Sequence, residues 1–129
     1  MLDAALICLA LNVYFEARSE PAEGQRAVAE VTLRRSRSGG ASVCETVFAP
    51  SQFSWTLLPH ERRRVTDLQA WTRAEAVARD ALRGSSDHAR GATHFHADYV
   101  DPPWAAALCP TTRIGRHVFY RPCASGGGL

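Results

Sequence analysis

The chain has 129 residues and a mass of 14.1 kDa, the usual size of a single domain. Its composition, with 46% apolar and 22% charged residues, is that of a globular protein and excludes a disordered or collagen-like chain. All 15 basic residues are arginines, which excludes chemistry that needs lysine, and the net charge of +2 is spread too evenly to predict nucleic-acid binding.

The N-terminal segment is predicted to form a helix from Leu2 to about Arg18. Its apolar residues at the spacing of one helix face are Leu2, Leu6, Leu9 and Val13. The segment differs from a signal peptide, because Asp3 replaces the usual positive charges and no small-residue cleavage site follows. No stretch of the sequence approaches the roughly 18 apolar residues that a membrane span needs. We therefore expect no export signal and no membrane insertion.

Two further helices are predicted before Pro50. Pro21 suits the first turn of a helix, and the pair Gly39–Gly40 suits its end. Ser42 and Glu45 have the spacing of a capping box, which indicates that a short third helix begins there. Pro50 is expected to end this third helix.

The segment 51–61 has no regular periodicity, but it contains four large apolar side chains. We expect it to pack against a surface or to form part of a groove. A cap at Thr66 or Asp67 then predicts a fourth helix that ends at Gly84. Its predicted buried face consists of Leu68, Trp71, Ala78 and Leu82.

The C-terminal part changes to a periodicity of two, which is typical of strands. Two strands are predicted, within residues 93–100 and 114–121, and together they suggest a small antiparallel sheet. The predicted fold is therefore a compact, mainly helical α+β domain over residues 1–123. The glycine-rich segment 124–129 is predicted to be a disordered tail.

The four cysteines do not show the paired spacing of a metal finger. Cys8 lies in the apolar first helix and is interpreted as a small core residue. The others are Cys44, Cys109 and Cys123. One disulfide among these three is compatible with the sequence, which does not assign the pair.

Glu16 is the most informative polar residue, because it continues the apolar stripe of the first helix. A carboxylate on a buried face, in the last turn of a helix, has its pKa raised by burial and by the helix dipole. A general acid needs such a pKa near neutral pH. The alternative is a structural glutamate paired with Arg18 or another arginine. Glu75 occupies a similar position on the fourth helix and is interpreted as a partner in an ion pair between helices.

His94 and His96 alternate along the first predicted strand, so both imidazoles are expected on one face of the sheet. If His117 on the next strand joined them, the three could ligate a metal ion. We favour the alternative, in which His94 and His96 line a groove and form hydrogen bonds. Four aromatic residues beside polar neighbours could stack on sugar rings; they are Trp55, Tyr99, Trp104 and Tyr120.

Five blocks of sequence together carry a resemblance to a known family. They are ALNVYFEARSEP (10–21), EGQRAVAEV (23–31), QFSW (52–55), GATHFHA (91–97) and RIGRHVFY (113–120). In this order they resemble the SleB/CwlJ cell-wall hydrolase family, from about Ala5 to Arg121. The resemblance implies a lysozyme-like fold and a peptidoglycan lytic transglycosylase. Such an enzyme cleaves between N-acetylmuramic acid (MurNAc) and N-acetylglucosamine (GlcNAc) and leaves 1,6-anhydro-muramoyl products, without a cofactor or metal.

The resemblance places the catalytic glutamate on Glu16, which the helical stripe also selects. Ser19 is a departure, because glycine is usual there in the family. The substrate-binding residues expected from the matching blocks, together with the aromatic Tyr99, are Glu20, Gln25, Gln52, Phe53, Ser54, Trp55, Thr93, His94, His96, Tyr99 and Tyr120.

Two other classes of function compete with this one. A metal-dependent wall hydrolase or amidase would use His94, His96 and His117, and a non-catalytic module would bind peptidoglycan without cleaving it. In each case we expect a monomer whose partner is the glycan strand of the bacterial wall, in the periplasm or outside the cell. Without an export signal, the chain would reach the wall through lysis, a holin or a phage particle. A phage endolysin and a domain excised from a longer secreted protein are both compatible with this.

Overall fold

The structure is a computed structural model that describes residues 3–84 and 86–124. Leu2, the first residue of the predicted N-terminal helix, lies outside the described residues. Residues 125–129, which make up most of the predicted tail, lie outside them too. The helices are α1 (Ala4–Ala17), α2 (Ala22–Gly39), α3 (Val43–Phe48) and α4 (Leu68–Arg83). The strands are β1 (His94–Ala97), β2 (Cys109–Ile114) and β3 (His117–Arg121), and short 3-10 turns span Ser54–Leu57, His60–Arg63 and Pro103–Ala107. The predicted α+β class, mainly helical with a small antiparallel sheet, is confirmed.

Capping residues lie at the helix ends, close to where the sequence predicts them. The Asp67 carboxylate accepts a hydrogen bond from the backbone N–H of Ala70 (3.0 Å) at the start of α4. Ser42 and Glu45 form the predicted capping box of α3. Gly40 ends α2 in the left-handed conformation, with φ of +64°. Each cap satisfies backbone groups that the helix itself leaves unpaired.

Helix α1 lies at the centre of the helical layer and packs against α2, α3 and α4. Leu9, Val13 and Tyr14 on this helix are almost completely buried. The core also contains a short polar chain: the Asn12 amide donates to the Thr32 hydroxyl (3.0 Å) and accepts from the Trp55 indole N–H (2.7 Å). These bonds satisfy polar groups that would otherwise be costly to bury. None of the helices in the described part of the chain is both long enough and apolar enough to span a bilayer.

The predicted buried face of α4 is correct for Ala78 and for the partly buried Trp71, but wrong for the two leucines. Leu68 and Leu82 are 73% and 37% exposed, and the buried residues are Ala70, Ala74, Ala78 and Ala81. The small alanine side chains allow α4 to lie close to α1, which large side chains on that face would prevent. Glu75 pairs with Arg79 on its own helix (3.5 Å), so the expected ion pair between helices is also wrong.

The sheet has the strand order β1-β3-β2, with antiparallel pairing throughout. The two predicted strands correspond to β1 and β3, whose register sets His94 opposite Tyr120 and Ala97 opposite His117. Strand β2 was not predicted, because its sequence CPTTRI lacks the alternation of apolar and polar residues and has a proline at its second position. In this order β1 is an edge strand, and it contacts α2.

Two disulfides connect the described elements. One of them lies among Cys44, Cys109 and Cys123, as the sequence allowed, whereas the interpretation of Cys8 as a core residue without a partner needs correction. Cys8 is bonded to Cys44 and so links α1 to α3, instead of standing alone in the core. Cys109 is bonded to Cys123, which links the start of β2 to the segment after β3. Neither pair could be assigned from the sequence, since the partners come together through tertiary packing.

Candidate active site

A cleft runs along the edge strand β1, where the end of α1 meets the sheet. It consists of two adjoining cavities of about 490 and 280 Å³, which share Glu16 and Phe95 as lining residues. The larger cavity is lined further by Phe15, Ser54, Trp55, Leu58, His96, Ala97, Tyr99, Val100 and His117. The smaller cavity is lined further by Arg35, Ser51, Gln52, Phe53, His94 and Trp104.

Glu16 lies between the two cavities, in the last turn of α1. Burial raises the pKa of its carboxyl group to about 7, although the positive charge of Arg35 acts in the opposite direction. Arg18 does not pair with it, because that guanidinium lies over the ring of Tyr14, 4.7 Å from the centroid. Among the described residues, no cationic nitrogen lies within 4.0 Å of the Glu16 carboxylate. Glu16 can therefore hold a proton at neutral pH and give it to a bound molecule.

Arg35 was missed by the sequence analysis, although α2 carries the same signal that selected Glu16. Val28 and Val31 are fully buried, and Arg35 continues their stripe at helical spacing. Its guanidinium lies over the ring of Phe53, 5.0 Å from the centroid, and lines the smaller cavity. Burial lowers its pKa and the nearby Glu16 raises it, so these two side chains influence each other across the cavity.

His94 and His96 project from the same face of β1, as their alternation predicted. His94 lines the smaller cavity beside Trp104, with the ring centroids 5.2 Å apart. Burial, followed by the charge of Arg35, lowers the pKa of His94. His96 lines the larger cavity, where its Nδ1–H donates to the carbonyl of Ala97 (2.7 Å). In the neutral imidazole, Nε2 then accepts from the Tyr120 hydroxyl (2.9 Å).

The structure does not bring the three histidines together as metal ligands. His117 stands opposite Ala97 and so projects from the other face of the sheet, with its ring against Phe95 (5.1 Å between centroids). Within residues 3–84 and 86–124, no group of three histidine, cysteine or acidic side chains is arranged to hold a metal ion. The geometry therefore gives no support to the metal-dependent alternative.

Glu20 and Gln25 lie outside the cleft, contrary to the expected substrate contacts. The Glu20 carboxylate accepts from the backbone N–H of Arg116 (2.9 Å), and its oxygen lies 3.9 Å from Nδ1 of His117. Gln25 is 3% exposed and donates to the carbonyl of Glu20 (3.1 Å). Glu20 connects the α1–α2 corner to the β2–β3 turn, and Gln25 bonds within that corner, so both contribute to the structure.

The Gln52–Trp55 block is divided between the cleft and the core. Phe53 and Trp55 are only 3% and 6% exposed, and the Trp55 ring stacks on Phe15 with centroids 4.7 Å apart. Gln52 and Ser54 are exposed and line the smaller and the larger cavity, respectively. The two aromatic residues therefore form buried parts of the cleft wall, while the two polar residues of this block are exposed along it.

The other expected site residues lie along the sheet. Tyr99 is 76% exposed at the rim of the larger cavity. Thr93 places its hydroxyl 2.9 Å from Nδ1 of His94. Tyr120 donates to His96, stacks on its ring (5.2 Å between centroids) and meets the Trp104 ring edge to face (5.4 Å). Thr93 and Tyr120 are therefore placed to orient the two histidines.

Volume alone does not select this site. A wider depression of about 840 Å³ lies between α2 and the β2–β3 hairpin. Its charged side chains, among them Glu23, Asp87, Arg90 and Arg113, are exposed to solvent. Such groups keep their hydration, whereas Glu16 is a desolvated carboxyl group inside a cleft. Perturbed ionisable groups of that kind are typical of active sites.

The sequence is similar to curated proteins named as spore cortex-lytic enzymes. It is 34% identical over 117 residues to that of Bacillus subtilis (strain 168), covering 86% of this chain and 35% of that protein. It is 36% identical over 124 residues to that of Halalkalibacterium halodurans, covering 91% of this chain and 34% of that protein. The chain thus spans about a third of the length of these relatives.

The fold is similar to solved catalytic domains. That of the germination-specific lytic transglycosylase SleB from Bacillus anthracis matches with a TM-score of 0.77 and 27% identity, covering 94% of this chain and 97% of that one. The SleB catalytic domain of Bacillus cereus matches with a TM-score of 0.73 and 26% identity, covering 94% and 93%. The sequence pattern of the family described as Cell Wall Hydrolase matches residues 19–120, a range that begins just after Glu16. Because that pattern covers most of its length, this chain belongs to the cell wall hydrolase family.

Proposed function

We propose that this chain is an enzyme that degrades peptidoglycan, cleaving the glycosidic bond between MurNAc and GlcNAc as a lytic transglycosylase. The observation that carries the proposal is the desolvated carboxyl group of Glu16, whose pKa of about 7 suits a general acid. The named activities of the similar spore cortex-lytic enzymes and of SleB support the same substrate class.

The absence of a second carboxylate at the cleft favours transglycosylation over hydrolysis. Glycosidases that use water usually place two carboxyl groups on either side of the scissile bond. Among the described residues that line the two cavities, Glu16 is the only acid. One carboxyl group suffices when the attacking group is a hydroxyl of the substrate itself, because the same oxygen can give and then take a proton.

The proposed reaction returns Glu16 to its starting state. The protonated carboxyl group donates its proton to the bridging oxygen, the bond from MurNAc C1 to that oxygen breaks, and GlcNAc leaves as an alcohol. The Glu16 carboxylate then takes the proton of the muramoyl 6-hydroxyl while O6 bonds to C1 and closes the 1,6-anhydro ring. No water is consumed, and the nearby charge of Arg35 stabilises the carboxylate between the two transfers.

We propose that polar side chains along the cleft hold the sugars. Gln52 and His94 on one side of Glu16, and Ser54 and His96 on the other, offer hydrogen bonds to hydroxyl and acetamido groups. Tyr99 at the rim, and Trp104 in the smaller cavity, offer ring faces for stacking. All these residues come from one chain, so we expect the monomer to be active.

We also propose that the protein acts outside the cytoplasm, in the periplasm or beyond it. Two disulfides support this location, because such bonds persist mainly in oxidising compartments. Peptidoglycan lies in the same compartments.

The test is digestion of purified peptidoglycan by the natural protein and by Glu16→Gln, with mass spectrometry of the soluble products. We expect anhydro-muropeptides, each lighter by one water than the hydrated form, from the natural protein only. Glu75→Gln is the matched control, since Glu75 is a half-buried helical glutamate far from the cleft lining, and it should retain activity. Reducing muramic ends would indicate hydrolysis instead. Binding without release of products by the natural protein would indicate a non-catalytic module.

A further inference from the structure

Arg35 is a half-buried cation without a protein partner. Among the described residues, no carboxylate lies within 4.0 Å of its guanidinium, and no hydrogen bond from it to another group is formed. The guanidinium makes a cation–π contact with the face of the Phe53 ring. Burying a charge without a counter-charge is costly, so a protein rarely keeps such a group in its interior for stability.

The neighbouring arginine on the same helix shows the usual alternative. Arg34 donates to the carbonyl of Ala92 (2.7 Å) and to the carboxylate of Asp87 (3.2 Å), so its guanidinium is occupied by the fold. Arg35 instead lines the smaller cavity, beside Gln52 and His94. Its five N–H groups are thus available to a molecule in the cleft.

The wall of the smaller cavity also contains backbone strain. Ser51 lines it with φ of +63°, in the left-handed region that residues other than glycine rarely adopt. Such conformations cluster at ligand-binding and active sites, where the surrounding structure holds them in place. The cavity therefore combines three features of a binding site: an unpaired cation, polar neighbours and a strained wall.

We infer that Arg35 forms an anion subsite, which binds a carboxylate carried by the muramoyl residue next to the scissile bond. This inference rests on the proposed function, since it names a feature of that substrate. A planar guanidinium matches a carboxylate with two parallel hydrogen bonds. MurNAc differs from GlcNAc by its lactyl group, which ends in a carboxylate when it is free and carries a peptide with its own carboxylates when it is not. Either source has the chemistry that Arg35 recognises.

The electrostatics of the cleft support this assignment. A carboxylate bound beside Glu16 without a cation would disfavour the ionised form of Glu16, and so would hinder the proton donation that produces it. Arg35 would reduce this effect on Glu16, because its positive charge offsets the negative charge of the bound carboxylate. The other ionisable groups that line these cavities are His94 in the smaller one and His96, Tyr99 and His117 in the larger one. Among these, His117 lies 3.9 Å from a carboxylate oxygen of Glu20, which does not line either cavity.

The test measures binding in a Glu16→Gln background, in which the substrate is not cleaved. Three MurNAc-containing tetrasaccharides are compared: one with a free lactyl carboxylate, one with the lactyl group as a neutral methylamide, and one with an amide-linked peptide that ends in a carboxylate. We expect the Kd of the neutral ligand to exceed that of a carboxylate ligand by about 10- to 100-fold, the range for hydrogen bonds to charged groups. The ligand that binds more tightly identifies the source of the carboxylate.

Substitution of Arg35 then assigns the preference to this side chain. Arg35→Gln should bring the ratio of Kd values close to one, and Arg35→Lys should retain part of it. Arg37→Gln, an exposed arginine on the same helix, is the matched control and should keep the full ratio. The melting temperature of each variant shows whether it is folded.

The outcomes separate this inference from the proposed function. Equal binding of the three ligands, while the natural protein still releases anhydro products, overturns the anion subsite only. Arg35→Gln that weakens all three ligands by the same factor overturns it too, because the side chain would then act through packing on Phe53. No binding of any ligand and no release of products by the natural protein overturn both.

Discussion

Replacing Glu16 with glutamine is expected to stabilise the protein above neutral pH while removing its activity. The folded protein holds the Glu16 proton with a pKa of about 7, against an ordinary value of 4.5. Between these two pH values the folded state binds more protons than the unfolded chain, so the free energy of unfolding decreases as the pH rises. Glutamine has the same shape and stays neutral. The free energy of unfolding of the variant therefore lacks this decrease with pH.

The size of the effect follows from the difference in pKa. From 4.5 to about 7, at about 1.36 kcal/mol for each pKa unit, the loss amounts to about 3 kcal/mol. It is absent below pH 4.5, develops across the interval and is complete above pH 7. A difference of about 3 kcal/mol is a large part of the stability of a small domain, which is typically about 5–15 kcal/mol.

The assay is urea denaturation of the natural protein and of Glu16→Gln at pH 4.5 and at pH 8. We expect nearly equal free energies of unfolding at pH 4.5 and a more stable variant at pH 8. Glu75→Gln serves as the control: it pairs with Arg79 on the surface of α4, and its difference between the two pH values should be small. A Glu16→Gln variant that is no more stable than the natural protein at pH 8 would refute the conclusion that Glu16 is desolvated.

Two other predictions concern the frame around the cleft. Trp55→Phe removes the indole N–H that donates to Asn12 and leaves a buried amide oxygen without a donor, so it should lower stability by about 1–3 kcal/mol. Its effect on glycan affinity should be smaller; an unchanged melting temperature with weakened binding would contradict this. Removing a disulfide is expected to lower the free energy of unfolding by an amount that grows with the length of the loop it closes. For Cys8–Cys44, with the cysteines 36 positions apart, loop entropy predicts a loss of about 4 kcal/mol. For Cys109–Cys123, with the cysteines 14 positions apart, it predicts about 3 kcal/mol. Alanine pairs compared by chemical denaturation test that order.

The sequence predicted the helices well, because their signals are local. Asp67, Ser42 with Glu45, and Gly40 each act through backbone groups within four residues, so spacing along the chain suffices to identify them. Glu16 was identified for a related reason. A polar residue in an apolar stripe of helical spacing is visible without knowledge of the partner that buries it.

The errors concern properties that depend on what lies opposite a residue. On α4, the leucines follow the helical spacing as well as the alanines do, and only the close approach of α1 decides in favour of the alanines. For Trp55 the sequence left sugar stacking and ordinary packing open, and it could not show that Asn12, which is distant in sequence, accepts the Trp55 N–H inside the core. Glu20 matched a family block, yet its carboxylate accepts a hydrogen bond from the backbone N–H of Arg116, which is distant in sequence.

The cleft is also where this chain departs most from the rules that its core obeys. In the core beneath the cleft, the buried amide of Asn12 is paired with Thr32 and Trp55. At the cleft, however, a carboxyl group stands desolvated, a guanidinium lacks a counter-charge, and a serine adopts a left-handed backbone. Each departure costs stability, and three of them in one place are not explained by packing. All three residues line the same 280 Å³ cavity, which supports the proposal that this cavity is part of the functional site by an argument that does not use the resemblance.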